Sequence, residues 1–185
     1  GAGANLYSAL DIKHPNFMFR LRQAGYEIGH WRKAWGPGKF EQGGYTEHPC
    51  GPEMSLVRFM ESRNAGKPFC FWFGTSDPHR PYKKDSGRES GMDIDKVPTP
   101  EFFPDAEPVR SDIADYYFEE QRWGRDVTDA VKLIEEAGVL ENTILVMTGD
   151  LGMPFPRCKG NLYDWVSRVP LAVRWGQGIR NPGRQ

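Results

Sequence analysis

Two short apolar runs, residues 69–73 and 143–147, constrain the fold most, because each predicts a strand and leads directly into a loop rich in glycine and proline. The first loop contains His79, and the second contains Asp150 and Lys159. In open α/β sheets, ligands bind beyond the carboxyl ends of the strands. We therefore expect the two loops to meet at one edge of a sheet. Such a set of side chains is suited to binding and cleaving an anionic substrate.

Strands and helices alternate along the rest of the chain, with loop signals between them. Apolar spacing and end signals predict helices at residues 15–25, 53–64 and about 111–137. The two apolar runs belong to strands predicted at residues 66–74 and 143–148, and two further strands are predicted at residues 26–31 and 169–175. We expect Ser111 and Asp112 to cap the longest helix, and residues 75–110 to form a long functional loop. The alternation predicts an α/β fold with a mostly parallel central sheet flanked by helices.

The composition limits the classes of partner. The 24 Lys and Arg residues are balanced by 25 Asp and Glu residues, for a formal net charge of −1. We therefore expect no nucleic acid and no membrane surface as partners, and local groups must hold any anion. A chain of 185 residues can bury a core, and one domain is the simple expectation. Because the chain begins with Gly1 rather than Met, we interpret it as an internal part of a longer protein.

Two of the candidate groups could neutralise or protonate a substrate. His79 is flanked by Pro78 and Pro81, which stiffen the loop, and its imidazole could donate a proton to a leaving group. A surface histidine in a proline turn is the alternative. Lys159 follows a proline-rich loop and could bind a sulfate or phosphate oxygen as a point charge. An ordinary solvated lysine is the alternative.

The other two candidates follow the same reasoning. Asp150 could ligate a hard cation through its carboxylate oxygens, or it could cap a turn after the strand. Lys33 lies just beyond the strand predicted at residues 26–31, between tryptophans that could form the walls of a pocket for an anion. A basic loop with core tryptophans is the alternative for Lys33. The three cysteines show no paired metal spacing.

Four stretches in order resemble the type I sulfatases of the alkaline-phosphatase-like superfamily. Residues 21–33 resemble the element L-x-x-x-G-Y-x-T-G-x-x-G-K, and residues 68–82 resemble P-F-F-x-x-x-x-x-x-x-P-H-x-P-Y. Residues 141–152 resemble x-N-T-x-V-x-x-T-S-D-H/N-G, and residues 158–171 resemble the lysine-bearing segment that follows. The order and spacing agree from about Gly3 to Gly176. The chain is most similar to the heparan N-sulfatase-like branch.

The resemblance implies hydrolysis of a sulfate ester or sulfamate on a carbohydrate, by a formylglycine made from Cys or Ser. It implies that His79 contacts the sulfate or the leaving group, that Lys33 and Lys159 neutralise sulfate oxygens, and that Asp150 is a calcium ligand. A sulfated small molecule or glycan would be the substrate. Relatives are often periplasmic, extracellular or lysosomal, so the resemblance favours a periplasmic or extracellular location without fixing the compartment.

The chain departs from the family pattern at the nucleophile and the metal. The family's Cys/Ser-x-Pro/Ala-x-Arg motif would lie upstream, so we expect residues 1–185 to be a partial catalytic domain that lacks its nucleophile-bearing portion and is inactive by itself. Cys50 begins a similar stretch, but Met54 replaces the arginine and the stretch is in the wrong place. The N-terminal aspartate pair for calcium is also missing. Leu151 stands where the family has Asn or His, which puts calcium binding in question.

Two other classes stay open. One is a non-catalytic relative that binds a sulfated glycan and in which Leu151 marks a degraded metal site. The other is a phosphoryl-transfer enzyme of the same superfamily. Such enzymes usually hold two metals with several His and Asp residues, and this chain has four histidines without such a cluster.

Overall fold

The computed structural model describes residues 7–36 and 38–183. In it, the first strand pair is parallel and is preceded by a short capped helix. Helix α1, Phe17–Gln23, begins after Asn16, whose side chain accepts a hydrogen bond from the amide of Phe19 at 2.7 Å. Strands β1, Glu27–Arg32, and β2, Phe69–Gly74, then pair in parallel. This parallel pair confirms the predicted α/β class.

Helix α2, Leu56–Ser62, connects the two strands and packs on β1. The side chain of Ser55 caps it by accepting from the amide of Arg58 at 3.2 Å. Phe59 is buried on the inner face of the helix, and Gly29 of β1 lies directly beneath its ring. This strand, helix, strand unit is the arrangement that the alternating pattern predicts.

The chain divides into two compact units, Gly1–Ser76 and Asp77–Gln185, which we describe separately. The second unit is built on helix α4, Glu107–Glu136, with the short helix α3, Ser86–Glu89, beside it. The predicted start of α4 at Ser111 was wrong by one turn. Its first turn contains Pro108, which lacks the amide proton that an interior position would require, and Ala106 occupies the N-cap.

The core of the second unit gathers around the first half of α4. Ile113 and Ala114 of the helix are almost fully buried there. They pack with Phe155 and Cys158 from the loop that carries Lys159, and with two residues of the segment predicted to be a long loop, Ile94 and Val97. That segment also contains α3 and a single 3₁₀ turn, Ile94–Lys96. It is therefore a packed part of the unit.

The second strand pair is antiparallel. Strand β3, Leu145–Thr148, pairs with β4, Leu171–Arg174, after the short helix α5, Asp164–Ser167. The predicted strand is present, but one face of β3 is uncovered, because Val146 is 59% exposed and lies opposite the half-exposed Val173. An apolar run predicts a strand, but it does not tell whether one face or both are covered.

Candidate functional site

The backbone of Lys33 is fixed at the carboxyl ends of the two parallel strands. Its amide donates to the carbonyl oxygen of Gly74 at 3.2 Å, and its own carbonyl accepts from the indole nitrogen of Trp72 at 3.0 Å. A Cβ on Gly74 would lie 1.8 Å from the carbonyl oxygen of Lys33, so the ends of the two strands can approach this closely only because residue 74 is glycine. The side chain of Lys33 is exposed. This places an ammonium group at the strand edge where the sequence predicted it.

The loop after β2 presents His79 to solvent. Its Nδ1 atom is 2.5 Å from the carbonyl oxygen of Arg80. A carbonyl oxygen only accepts, so Nδ1 carries the proton in this hydrogen bond and Nε2 is left for another partner. The hydroxyl of Tyr82 closes the loop by donating to the carbonyl of Pro78 at 2.9 Å. Burial raises the pKa of Tyr82 well above its ordinary value, so its hydroxyl stays a donor at physiological pH.

The loop after β3 is anchored by its buried side chains. Phe155 and Cys158 are 7% and 0% exposed. The amide of Cys158 donates to the carbonyl of Phe155 at 3.0 Å, and the amide of Lys159 donates to that of Met153 at 3.2 Å. The side chain of Lys159 is exposed directly beside the buried cysteine. The core therefore fixes the backbone from which this ammonium group extends.

Arg80 joins these two loops. Its Nε atom donates to the carbonyl oxygen of Pro154 at 3.1 Å, and its two terminal nitrogens donate to the two carboxylate oxygens of Asp112 at 3.0 and 2.6 Å. The guanidinium plane lies over the rings of Tyr82 and Phe155, at 4.5 and 4.7 Å from their centroids. Within the second unit, the loop of His79 and the loop of Lys159 are thereby held together.

Sequence reasoning did not assign Arg80 or Asp112 to the site. Asp112 was predicted to cap α4, but it lies one turn inside the helix and binds Arg80 instead. The available signal was the position of Arg80 between His79 and Pro81, inside the P-H-x-P-Y element. The pattern gave no indication of its partners, because they lie 32 and 74 residues further along the chain.

A polar cavity of about 510 Å³ borders Arg80 and Asp112. Asp115 also lines this cavity, is 4% exposed, and accepts hydrogen bonds from the amides of Asp85 and Gly87 at 3.0 and 2.8 Å. Asp115 therefore fixes the start of α3 in place of a side-chain cap. The carboxylates of Asp112 and Asp115 are both bonded within the protein, which makes the cavity wall rigid.

Asp150 is exposed two residues after β3, at the position where the sequence predicted a metal ligand. Calcium takes six to eight oxygen ligands, and the neighbouring Leu151 offers none through its side chain. In the described part of the chain, no three His, Cys, Asp or Glu side chains lie together in a way that could hold a metal ion. The described residues therefore do not fit a calcium site by themselves, and Asp150 could supply only one ligand of such a site.

Cys50 is unsuited to act as a nucleophile in this conformation. It is 5% exposed and packs with Met18 and Ile28. Burial raises the pKa of its thiol to about 11. A neutral, buried thiol agrees with the interpretation that residues 50–54 only imitate the family's nucleophile motif.

Comparisons with known proteins identify sulfatases. The chain is 31% identical over 150 residues to N-sulphoglucosamine sulphohydrolase of Homo sapiens, a match that covers 66% of this chain and 30% of that protein. It is 31% identical over 80 residues to an ulvan-active sulfatase of Formosa agariphila, covering 43% of this chain and 13% of that protein. The chain therefore spans less than a third of the length of these relatives. No family model matches the chain.

A solved structure similar to the chain is the lipoteichoic acid synthase LtaP from Listeria monocytogenes. The TM-score is 0.48 and the identity 14%, over 92% of this chain and 48% of that one.

Across residues 7–36 and 38–183, none of the helices has both the length and the apolar character needed to cross a bilayer. The four sequence elements and the two relatives agree: over the matched residues, this chain is similar to sulfatases.

Proposed function

We propose that this chain contributes to the hydrolysis of a sulfate ester or sulfamate on a carbohydrate, as part of a larger sulfatase domain. The observation that carries the proposal is the hydrogen bond from Arg80 to Pro154, because it joins the loop of His79 to the loop of Lys159. The names of the two relatives refer to N-sulphoglucosamine and to ulvan. On those names we propose a sulfated small molecule or glycan as the substrate.

Each proposed site residue has a chemical task. As the bond to sulfur breaks, its electron pair goes to the leaving atom, which gains negative charge, while the other sulfate oxygens already carry negative charge. Fixed cations stabilise both. We assign this role to the ammonium groups of Lys33 and Lys159. Because the Nδ1 proton of His79 is bonded to the carbonyl of Arg80, a ring protonated on both nitrogens would donate from Nε2 to the leaving oxygen or nitrogen.

Other parts of the site would come from outside these 185 residues. A formylglycine would supply the attack on sulfur, and the segment that contains it would be a partner of this chain within the same domain. We propose Asp150 as one ligand of a calcium ion whose other ligands come from that segment. By itself the 185-residue chain would then be inactive or nearly so. A turnover by this chain above that of its Lys159→Ala variant would contradict the proposal of a partial domain.

The experiment that tests the function compares sulfated and phosphorylated substrates. The full-length protein that carries this chain is assayed with 4-nitrophenyl sulfate, 4-nitrophenyl phosphate and N-sulfated glucosamine. We expect turnover of a sulfated substrate and little of the phosphate ester. A preference for the phosphate ester would support the phosphoryl-transfer alternative. A periplasmic or extracellular location, which we also propose, is checked by fractionating the cells that produce the protein.

One observation favours a second candidate function. Leu151 beside Asp150 removes a side chain that the family uses near the metal. The protein could then be a non-catalytic relative that binds sulfated glycans through the same lysines. Calcium titration of the full-length protein separates the two functions. Binding of calcium together with turnover supports the enzyme, whereas glycan binding without calcium binding or turnover supports the second candidate.

A further inference from the structure

Arg80 uses all three nitrogens of its guanidinium group for hydrogen bonds within the second unit. Three of its nitrogens donate hydrogen bonds, two of them to the carboxylate of Asp112 and one to the carbonyl oxygen of Pro154. Both rings that it contacts also belong to the connected segments, since Tyr82 closes the loop of His79 and Phe155 anchors the loop of Lys159. Arg80 therefore connects three segments: two loops and a helix.

The helix gives this connection a rigid base. Asp112 is followed directly by Ile113 and Ala114, which are 1% and 0% exposed in the core. The backbone around Asp112 is therefore set by packing. The planar guanidinium group of Arg80 matches the two carboxylate oxygens of Asp112. The positions of both loops then depend on a pair of parallel hydrogen bonds, which the single ammonium group of a lysine would not reproduce.

We propose that Arg80, paired with Asp112, is a positioning residue that sets the distance and orientation between His79 and Lys159. The proposal rests on the proposed function for its catalytic consequence. Arg80 needs no contact with substrate in this role, because it acts through the adjacent His79, whose Nδ1 binds the carbonyl of Arg80, and through Pro154 in the second loop.

Magnitudes separate this role from a purely structural one. The side chains of Arg80 and Asp112 are 37% and 44% exposed, so solvent screens their attraction and limits what the pair contributes to folding stability. A displacement of about 1 Å in a catalytic site can cost about a hundredfold in rate. The positioning role therefore predicts a large effect on turnover with a small effect on stability.

The test uses Arg80→Lys and Asp112→Asn in the full-length protein, with Arg174→Lys as a matched control. Arg174 also pairs with a carboxylate, that of Glu141, and donates to a backbone carbonyl, that of Leu140, at 3.1 Å. Its side chain is 41% exposed, close to the value for Arg80. We expect kcat on a sulfated substrate to fall at least about tenfold in the first two variants, with KM changed less than about threefold and the control unchanged.

A second readout does not depend on activity. The amides of Cys158 and Lys159 are bonded within the loop that Arg80 holds, so their hydrogen exchange reports the order of that loop. We expect exchange at both amides to accelerate at least about tenfold in Arg80→Lys and Asp112→Asn, and to stay unchanged in Arg174→Lys. Unchanged exchange in the first two variants would overturn the proposal.

The two readouts also separate this proposal from the proposed function. If the wild-type protein shows no sulfatase turnover, the proposed function fails, and the exchange result alone decides whether Arg80 holds the loop. If the wild-type protein is active, wild-type kcat in Arg80→Lys overturns the positioning role. A loss of kcat that follows only the loss of folded protein would overturn it as well.

Discussion

The guanidinium of Arg80 donates a hydrogen bond to the carbonyl oxygen of Pro154 at 3.1 Å, across 74 positions of the chain. This bond connects two loops that the sequence predicted to meet from their positions after strands. It gives His79 and Lys159 a common support in the second unit.

Replacing Asp115 by Ala should destabilise the second unit. Its carboxylate accepts hydrogen bonds from the amides of Asp85 and Gly87 and is 4% exposed, so the substitution leaves buried donors without a partner. The expected loss is about 2–3 kcal/mol of unfolding free energy, measured by urea denaturation. Asp129→Ala, at an exposed position of the same helix, is the control and should change stability by less than about 0.5 kcal/mol. Equal effects of the two substitutions would show that Asp115 does not hold α3.

Replacing Gly74 by Ala should disturb the edge of the parallel strands. The added Cβ would lie 1.8 Å from the carbonyl oxygen of Lys33, so the backbone must shift, at a cost of about 1–3 kcal/mol. Gly124→Ala is the matched control, because nothing lies within 4 Å of its added Cβ and the residue is inside α4. We expect Gly124→Ala to gain about 0.5–1 kcal/mol. The prediction is wrong if Gly74→Ala is as stable as the wild-type protein in denaturant titrations.

The thiol of Cys50 should resist alkylation in the folded protein. With its pKa raised to about 11 by burial, only about one thiol in ten thousand is ionised at pH 7. Iodoacetamide at neutral pH should leave Cys50 unmodified until urea unfolds the chain, as read by mass spectrometry of its peptide. Rapid modification of the native protein would show an exposed thiolate. That result would also restore residues 50–54 as a candidate nucleophile motif.

The ionisation of Glu119 should make stability depend on pH. Burial raises the pKa of Glu119, Arg122 opposes this shift, and the charge of Asp77 adds to it. A carboxyl with a raised pKa in the folded state favours folding most below its ordinary pKa, and this contribution is lost as the pH rises through the raised value. We expect wild-type stability to fall more from pH 4.5 to pH 8 than that of Glu119→Gln. Parallel pH profiles of the two proteins would contradict the assignment.

Much of the fold could be predicted from the sequence because its signals are local. The strand predicted at residues 26–31 is Glu27–Arg32, and the helix predicted at residues 53–64 is Leu56–Ser62. Local patterns failed where the answer depends on distant neighbours. The start of α4 was predicted too late, since Pro108 fits a first turn as well as it fits a loop. The exposed face of β3 could not be read from an apolar run.

One part of the candidate site could also be predicted from local sequence, and another part could not. Lys33, His79, Asp150 and Lys159 follow strands, and the sequence indicated each of them through that position and through the family motifs. Their roles stay predictions. The link that holds two of the loops together was not visible in the sequence, because the charged partner of Arg80 lies 32 residues away and its third hydrogen bond goes to a backbone carbonyl. A backbone acceptor carries no signature in the side-chain pattern.

The most direct test of the account measures turnover of a sulfated substrate by the full-length protein and by its Lys33→Ala, His79→Ala and Lys159→Ala variants. Lys67→Ala, at an exposed lysine outside the proposed site, is the control. If the three groups act on one sulfate, each site variant should lose at least about a hundredfold in kcat, and the double variant His79→Ala/Lys159→Ala should lose much less than the product of the two single losses. Wild-type turnover in His79→Ala and Lys159→Ala would contradict the assignment of these residues to one sulfatase site.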